Sequence, residues 1–364
     1  FLLAVLTLRY VERPIRYARP LRRSAGLSLV LGSAVTAAAV SAALILPMVV
    51  PVPAGRSQPA AAAVVHSAAR PNLAPVDPLA SALAAARTAV DASARHAPLP
   101  ADLSPALGAA PGDKPEVFLD GCVRSWLEVG VPDCVSGDPS APTTVALVGD
   151  SHAAMWQPAL EPVARQNHWR LVTMAKVTCP LQDIPITSPY LGRTYSECEQ
   201  WREQALSRLA SERPRLVILS MSRRYGADFG FTSYDPAWIA SLTDLVADLR
   251  AATGGRVLVL GPVPDPRANV PVCLSAHPDD ILACSPDRTP GLNTAGITAE
   301  SRATGDGGGQ YADLSALFCA AGVCPVVVGN DLVFRDDNHL TVSYSRTLAP
   351  VLGMIAEQAI APRS

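Results

Sequence analysis

The first part of the chain alternates apolar and basic stretches in a way that is typical of a membrane protein. Residues 1–8 are apolar, residues 9–24 carry six arginines, and no charged residue occurs between Ser24 and Gly55. A helix needs about 20 apolar residues to span a bilayer. We therefore predict a transmembrane helix at 25–52, with the end of a truncated transmembrane helix at 1–8.

The arginine-rich stretch predicts the orientation of this helix. Basic loops beside transmembrane helices are retained in the cytoplasm. Residues 9–24 are thus expected to form a cytoplasmic loop, and everything after residue 52 is expected outside. A buried core helix is the alternative for 25–52, but the uncharged run is longer than such a helix usually is.

Residues 53–115 are rich in Ala and Pro, poor in aromatic residues, and show no regular apolar alternation. Such a composition does not bury a core of its own. We expect an extracytoplasmic linker here, with a surface helix where the segment VDPLASALAAARTAVDASARH has helical spacing.

From residue 116 to 364, short apolar runs alternate with longer stretches of helical period. The apolar runs predict strands at 143–150, 168–176, 214–222 and 254–264, followed by shorter β segments and a final helix. Strands that alternate with helices form parallel sheets covered on both faces, with the ligand site at the carboxyl ends of the strands. The predicted fold class is α/β, as a three-layer α/β/α sandwich with a parallel sheet.

Composition narrows the classes of function. The 364 residues have a formal net charge of −2 and a mean hydropathy of +0.21. The first value argues against a basic nucleic-acid-binding protein, and the second agrees with a membrane segment. The sequence contains no phosphate-binding glycine loop and no convincing metal-ligand cluster. We therefore expect no cofactor, no metal and no nucleic-acid partner.

Two polar motifs stand where catalytic residues are expected. GDSH at 149–152 follows the first long strand, which would place Ser151 at a helix N-terminus on the carboxyl edge of the sheet. Asp336 and His339 lie three residues apart before the last helix. A serine nucleophile needs a base and a carboxylate that orients the base. Ser151, His339 and Asp336 are thus candidate catalytic residues, although each motif alone could equally be a helix cap.

These motifs also carry a resemblance. GDSH after a strand and DDNHLT before the last helix resemble the SGNH (GDSL-like) hydrolase superfamily. RYVERPIR and the following membrane helix resemble the end of an acyltransferase-3 membrane domain. The combination is similar to acyltransferase-3/SGNH fusion proteins, which O-acylate extracellular polysaccharide or peptidoglycan. The resemblance covers nearly the whole chain, implies an SGNH-type catalytic domain at 116–364, and matches Ser151, Asp336 and His339 to the nucleophile, acid and base.

The chain departs from the superfamily at the oxyanion site. A Gly and an Asn usually add oxyanion donors, but the segments after the second and third strands are MAKVTCPL and LSMSRRYG. The backbone N–H of Ser151 is then expected to act with a backbone N–H at Val177 or Thr178. The side chains of Ser222 and Arg223 are further candidates.

All eight cysteines follow the predicted membrane helix, and none has CxxC spacing. Disulfides form outside the cytoplasm, and the spacing weighs against zinc. Free buried thiols would require a cytoplasmic domain. We expect nearest-neighbour disulfides that pair Cys122 with Cys134, Cys179 with Cys198, Cys273 with Cys284, and Cys319 with Cys324.

Three functions are compatible with this reading. The resemblance favours transfer of an acyl group, acetyl above others, from an upstream membrane acyltransferase domain to a glycan hydroxyl through acyl-Ser151. The second function is a carbohydrate esterase that hydrolyses O-acyl groups with the same triad. The third is a non-catalytic binding module in which Ser151 only caps a helix. In the favoured case the protein lies in the cell membrane, with its catalytic domain extracytoplasmic.

Overall fold

The computed structural model describes residues 5–6, 8–16, 18, 24–49, 55 and 77–361. These belong to two compact units, Phe1–Val52 and Pro53–Ser364. The predicted segments 1–8, 9–24, 25–52 and 53–115 each fall partly outside the described residues.

The first unit contains an apolar helix of membrane-spanning length. A π-helical turn at Leu8–Glu12 precedes α1 (Arg13–Arg16) and α2 (Ala25–Val49). The stretch Ala25–Ile45 has a mean hydropathy of 2.0 and is not buried. By length and composition, α2 could therefore cross a bilayer, as the uncharged run predicts.

The second unit alternates strands and helices. Its strands are β1 (Val123–Arg124), β2 (Val135–Gly137), β3 (Thr143–Gly149), β4 (Trp169–Lys176), β5 (Thr187–Ser188), β6 (Arg193–Thr194), β7 (Leu216–Ser220), β8 (Arg256–Leu260), β9 (Gln310–Ala312), β10 (Val327–Val328) and β11 (Asp331–Leu332). Its α-helices are α3 (Pro78–Ser93), α4 (Ser151–Ala154), α5 (Gln157–Gln166), α6 (Ser196–Glu212), α7 (Pro236–Thr253), α8 (Val270–Ala276), α9 (Arg288–Gly291), α10 (Thr294–Asp306), α11 (Val342–Thr347) and α12 (Ala349–Ile360). Short 3₁₀ helices occupy Ala110–Gly112, Glu116–Phe118, Ala227–Phe229, Ile281–Cys284 and Ser315–Leu317.

The main sheet brings the ends of three strands to one edge. Its order is β1-β4-β3-β7-β8-β9 with parallel neighbours, while β2 pairs antiparallel with β4. Gly149 at the end of β3 is in register with Ala175 of β4 and with Ser220 of β7. The loops that follow these three strands therefore emerge side by side.

Alternate residues of the central strands enter two separate hydrophobic clusters. On β3, Val145 and Leu147 belong to one cluster and Ala146 and Val148 to the other. The first cluster includes residues of α3, α5 and α12, and the second includes residues of α6 and α7. Because side chains of a strand alternate between its faces, the sheet is covered on both sides. The predicted three-layer parallel α/β architecture is confirmed.

The folded unit begins before residue 116, where the sequence predicts the start of the catalytic domain. Helix α3, predicted as a surface helix in a linker, contributes Ala82, Ala86 and Val90 to the core, and Leu99 and Leu107 are buried with them. Small alanine side chains allow close approach of the helix, so α3 packs although few large apolar residues mark it. Residues 77–115 are thus part of the folded unit, and 56–76 lie outside the described residues.

Candidate active site

The turn after β3 gives Ser151 its position. Gly149 has φ +152°, and a Cβ there would lie 1.9 Å from the carbonyl oxygen of Ser220, so this position requires glycine. Ser151 is the first residue of α4, directly after the N-cap Asp150. Its side chain therefore lies at the carboxyl edge of the sheet, as GDSH predicts.

The structure brings the three candidate catalytic residues together. Ser151 Oγ lies 2.9 Å from His339 Nε2, and His339 Nδ1 lies 2.8 Å from Asp336 Oδ2. The other oxygen of Asp336 accepts the backbone N–H groups of Asn338 and His339, at 2.9 Å and 2.7 Å. These bonds hold the carboxylate against one nitrogen of the imidazole and leave the other to the serine.

The electrostatics keep Asp336 ionised. Burial by itself raises its pKa, but the hydrogen bond to His339, the charge of that imidazole and the two backbone N–H groups together lower the pKa well below its usual range. An ionised carboxylate at Nδ1 stabilises the imidazolium that forms when His339 takes a proton. The arrangement can therefore activate a serine hydroxyl.

Asp150 has a separate, structural position. It is buried, and it accepts hydrogen bonds from the backbone N–H groups of His152 and Ser222, both at 2.8 Å, and from the hydroxyl of Tyr225 at 2.6 Å. These bonds join the turn after β3 to the loop after β7. Sequence reasoning treated Asp150 only as a motif neighbour, since nothing in GDSH identifies its distant partners.

Two of the five oxyanion candidates, the Val177 backbone and the Arg223 side chain, are engaged elsewhere. The backbone N–H of Val177 donates to the carbonyl of Arg124 at 3.0 Å, and that of Ser222 donates to Asp150. The side chain of Arg223 is buried and binds the buried carboxylate of Glu300 at 3.0 Å. These contacts contradict an oxyanion role for the Val177 backbone and for the Arg223 side chain. The Ser222 hydroxyl still lines the cavity around Ser151.

Thr178 and Ser151 remain as backbone donors. Within residues 77–361, no hydrogen bond is formed by the backbone N–H of either residue. Thr178 has φ +47°, the left-handed region that favours glycine, and lines the same cavity of about 230 Å³ as Ser151. Thr178 thus lines this cavity in a glycine-like backbone conformation.

His152 and Asn338 are functional candidates that sequence reasoning missed. Both line the cavity around Ser151, and the His152 ring lies 5.5 Å from that of His339, centroid to centroid. The signal available in the sequence was only their adjacency to Ser151 and His339.

Four disulfides staple the second unit. They join Cys122 to Cys134, Cys179 to Cys198, Cys273 to Cys284, and Cys319 to Cys324, which are the nearest-neighbour pairs. The Cys179–Cys198 bond attaches the residue after Thr178 to the first turn of α6. Among the described residues, no group of three or more His, Cys, Asp or Glu side chains could hold a metal ion.

The fold and this site define the class of SGNH-type domains, parallel α/β domains that present a serine at the end of a central strand beside a DxxH motif. A family model described as "SGNH domain (fused to AT3 domains)" matches residues 121–353, and the chain belongs to this family. The predicted resemblance is therefore confirmed, and the chain is an acyl-handling enzyme domain.

The chain was also compared with solved structures and with curated proteins. One similar solved structure is that of the periplasmic domain of a lipopolysaccharide acetyltransferase from Salmonella ser. Paratyphi A. It has 21% sequence identity and a TM-score of 0.49, and the match covers 62% of this chain and 87% of that one. No curated protein gives a significant match.

Proposed function

We propose that the domain transfers an acyl group, acetyl above others, to a hydroxyl of a cell-surface glycan through an acyl-Ser151 intermediate. The observation that carries this proposal is the hydrogen-bonded series from Asp336 through His339 to Ser151. Membership of a family whose SGNH domains are fused to AT3 domains supports an acyl donor supplied by an upstream membrane acyltransferase.

In the first half-reaction, His339 Nε2 takes the proton of Ser151 as Oγ attacks the acyl carbonyl. The negative charge that develops on the carbonyl oxygen is stabilised by the backbone N–H groups of Ser151 and Thr178. The intermediate collapses to acyl-Ser151, and His339 returns the proton to the leaving group.

In the second half-reaction, a glycan hydroxyl replaces the leaving group. Its proton passes to His339 as its oxygen attacks the acyl-serine carbonyl, and the same two N–H groups stabilise the oxyanion. Collapse of this intermediate forms the acylated glycan, and His339 returns its proton to Ser151 Oγ. If water attacks instead of the hydroxyl, the same residues act as an esterase.

We also propose that α2 spans the cell membrane and that the catalytic unit lies outside it. The helix is long and apolar enough to cross a bilayer. Four disulfides and the lack of free cysteines among the described residues fit an oxidising compartment.

The test follows both half-reactions on the full chain. Incubation with p-nitrophenyl acetate is expected to add one acetyl group to the peptide that contains Ser151, detected by mass spectrometry, and a glycan is expected to remove it as an ester. Ser151→Ala abolishes both steps. Ser140→Ala, which changes an exposed serine outside the cavity around Ser151, leaves them intact.

Each negative result has a distinct meaning. Release of acetate without any acylated glycan would reject transfer in favour of hydrolysis. Acetylation of Ser151→Ala at the wild-type rate would reject Ser151 as the nucleophile.

A further inference from the structure

Two polar atoms beside Ser151 are buried without a hydrogen-bond partner in the described part of the chain. They are Nε2 of His152 and Oδ1 of Asn338. The His152 side chain is almost entirely enclosed, with 4% of its residue surface exposed. An unpaired buried polar group costs free energy, and both residues also line a cavity, so a polar ligand that bonds to them would remove this cost.

Both residues lie where two cavities meet. The cavity around Ser151 has a volume of about 230 Å³, and a second cavity beside it has about 360 Å³. His152, Arg224, Tyr225 and Asn338 line both. A ligand in the second cavity would thus reach Ser151 past the side chains that the two cavities share.

The second cavity has the surface chemistry of a sugar site. Most of its lining is polar, with Thr232, Ser233 and Asn293 beside the charged side chains, while Tyr234, Pro262, Pro264 and Leu292 supply apolar contacts. Such a mixed lining suits a small ligand that carries both polar and apolar surface. A sugar ring offers the matching surface, because its C–H faces are apolar and its hydroxyls lie at its rim.

The charges that line this cavity are already paired. Arg223 binds Glu300, and Arg224 binds Asp337 at 2.8 Å and lies 3.7 Å from Asp265. A carboxylate or phosphate on the ligand would gain little from arginines that are neutralised in this way. The pairing favours a neutral sugar over an acidic one.

Burial, followed by the electrostatic effect of the neighbouring His339 and Arg223 side chains, lowers the pKa of His152 well below its ordinary value. The imidazole is therefore neutral at physiological pH, with one nitrogen as donor and the other as acceptor. Such a ring can serve a sugar hydroxyl, which is itself both a donor and an acceptor.

We propose that the second cavity binds a neutral sugar of the acyl acceptor, and that His152 and Asn338 hydrogen-bond its hydroxyls while the cavity around Ser151 holds the acyl group. This inference rests on the proposed function, of which it names the acceptor class. His152 and Asn338 act here as binding residues, and the bond-making steps remain those of Ser151 and His339.

Acceptor binding is measured first, because it needs no catalysis. Saturation-transfer NMR with methyl hexosides, using the full chain carrying Ser151→Ala, is expected to show binding that His152→Gln or Asn338→Ala abolishes. Methyl glucuronide is expected to bind more weakly than the neutral glycosides. Lack of binding by every neutral glycoside, or preference for the glucuronide, would overturn the inference.

Kinetics with p-nitrophenyl acetate and methyl hexosides then separate the half-reactions. His152→Gln and Asn338→Ala are expected to lower kcat/KM for the hexoside by about tenfold or more, because a sugar hydroxyl loses its partner. Acetylation of Ser151 is expected to stay within about threefold of wild type. His168→Gln, an exposed histidine at the opposite end of β4, serves as the matched control.

Three other outcomes would overturn either the proposed sugar site or the proposed function. Equal losses in acetylation and transfer would place His152 in the first half-reaction and overturn acceptor binding. A changed preference for acyl-chain length, with unchanged hexoside kinetics, would assign the second cavity to the acyl chain. If Ser151 of the wild type is not acetylated, the proposed function is rejected. The NMR measurement would still test whether the second cavity binds a neutral sugar.

Discussion

The hydroxyl of Tyr225 donates a 2.6 Å hydrogen bond to Oδ2 of Asp150, the residue directly before Ser151. Burial and the neighbouring carboxylate raise the pKa of Tyr225 well above its ordinary value, so the hydroxyl remains a donor. The serine turn is therefore held by a residue that lies 75 positions away in the sequence.

Removing this donor is expected to weaken the site without destroying it. Tyr225→Phe should lower the free energy of unfolding by about 2 kcal/mol, because a hydrogen bond to a charged group is lost. Asp150→Asn should cost about 3 kcal/mol or more, since its amide NH₂ cannot accept from all three donors. Urea unfolding measures both, and an equal cost for the two variants would contradict the bridging role of Asp150.

Thr178→Gly tests whether only the backbone of Thr178 contributes. Glycine keeps the N–H and removes the strain of φ +47°, while the bond from Trp126 Nε1 to Thr178 Oγ1, 3.0 Å long, is lost. We expect the acetylation rate to stay within about threefold, and stability to change by about 1 kcal/mol at most, because the two effects oppose each other. A loss of tenfold or more would show that the side chain takes part.

His152 is expected to make the fold acid-sensitive. The folded state keeps this imidazole neutral, whereas in the unfolded chain it takes up a proton below about pH 6.5. The unfolded state then binds more protons, so the free energy of unfolding falls as the pH drops below that value, by up to about 1.4 kcal/mol per pH unit. His152→Gln should flatten this dependence in denaturant melts, and the exposed His277→Gln should not. Identical slopes for wild type and His152→Gln would contradict the prediction.

The Cys179–Cys198 disulfide is expected to matter for activity as well as stability. Replacing both cysteines with alanine should cost about 3 kcal/mol by loop entropy, and should lower the acetylation rate because the bond fixes the residue after Thr178. The matched control is the Cys319/Cys324 double alanine variant, which opens a loop of only 5 residues. It should cost about 2 kcal/mol with little change in rate. Equal rates for the two variants would show that the first disulfide does not position Thr178.

The sequence predicted the sheet because its central strands are buried on both faces and appear as continuous apolar runs. The meeting of Ser151, Asp336 and His339 could be predicted because the strand–turn–helix context restricts where such motifs place their side chains. Two features of the structure could not be predicted from the sequence. Val177 and Thr178 could not be separated, because the choice depends on a backbone φ and on the pairing of β1 with β4. Helix α3 was assigned to a linker, because its buried positions are mostly alanine and carry a weak hydrophobic signal.

The sequence places Ser151 at a helix N-terminus, and in the structure two helices follow there, α4 and α5. Pro158 lies in the first turn of α5, where its missing N–H is tolerated, whereas in the interior of a helix that began at Ser151 it would remove a backbone hydrogen bond. Pro158 therefore favours a short α4 followed by a break. The effect of this proline depends on the residue at which the helix starts.

Helix α3 also determines how the catalytic unit would respond to force. A pull on the chain that precedes Asp77 would act first on a helix whose Ala82, Ala86 and Val90 are seated in the core against α12, rather than on a loose end. The helix would thus be a mechanical anchor, and a force applied there would be resisted by core packing before it reached β3 and the turn that carries Ser151.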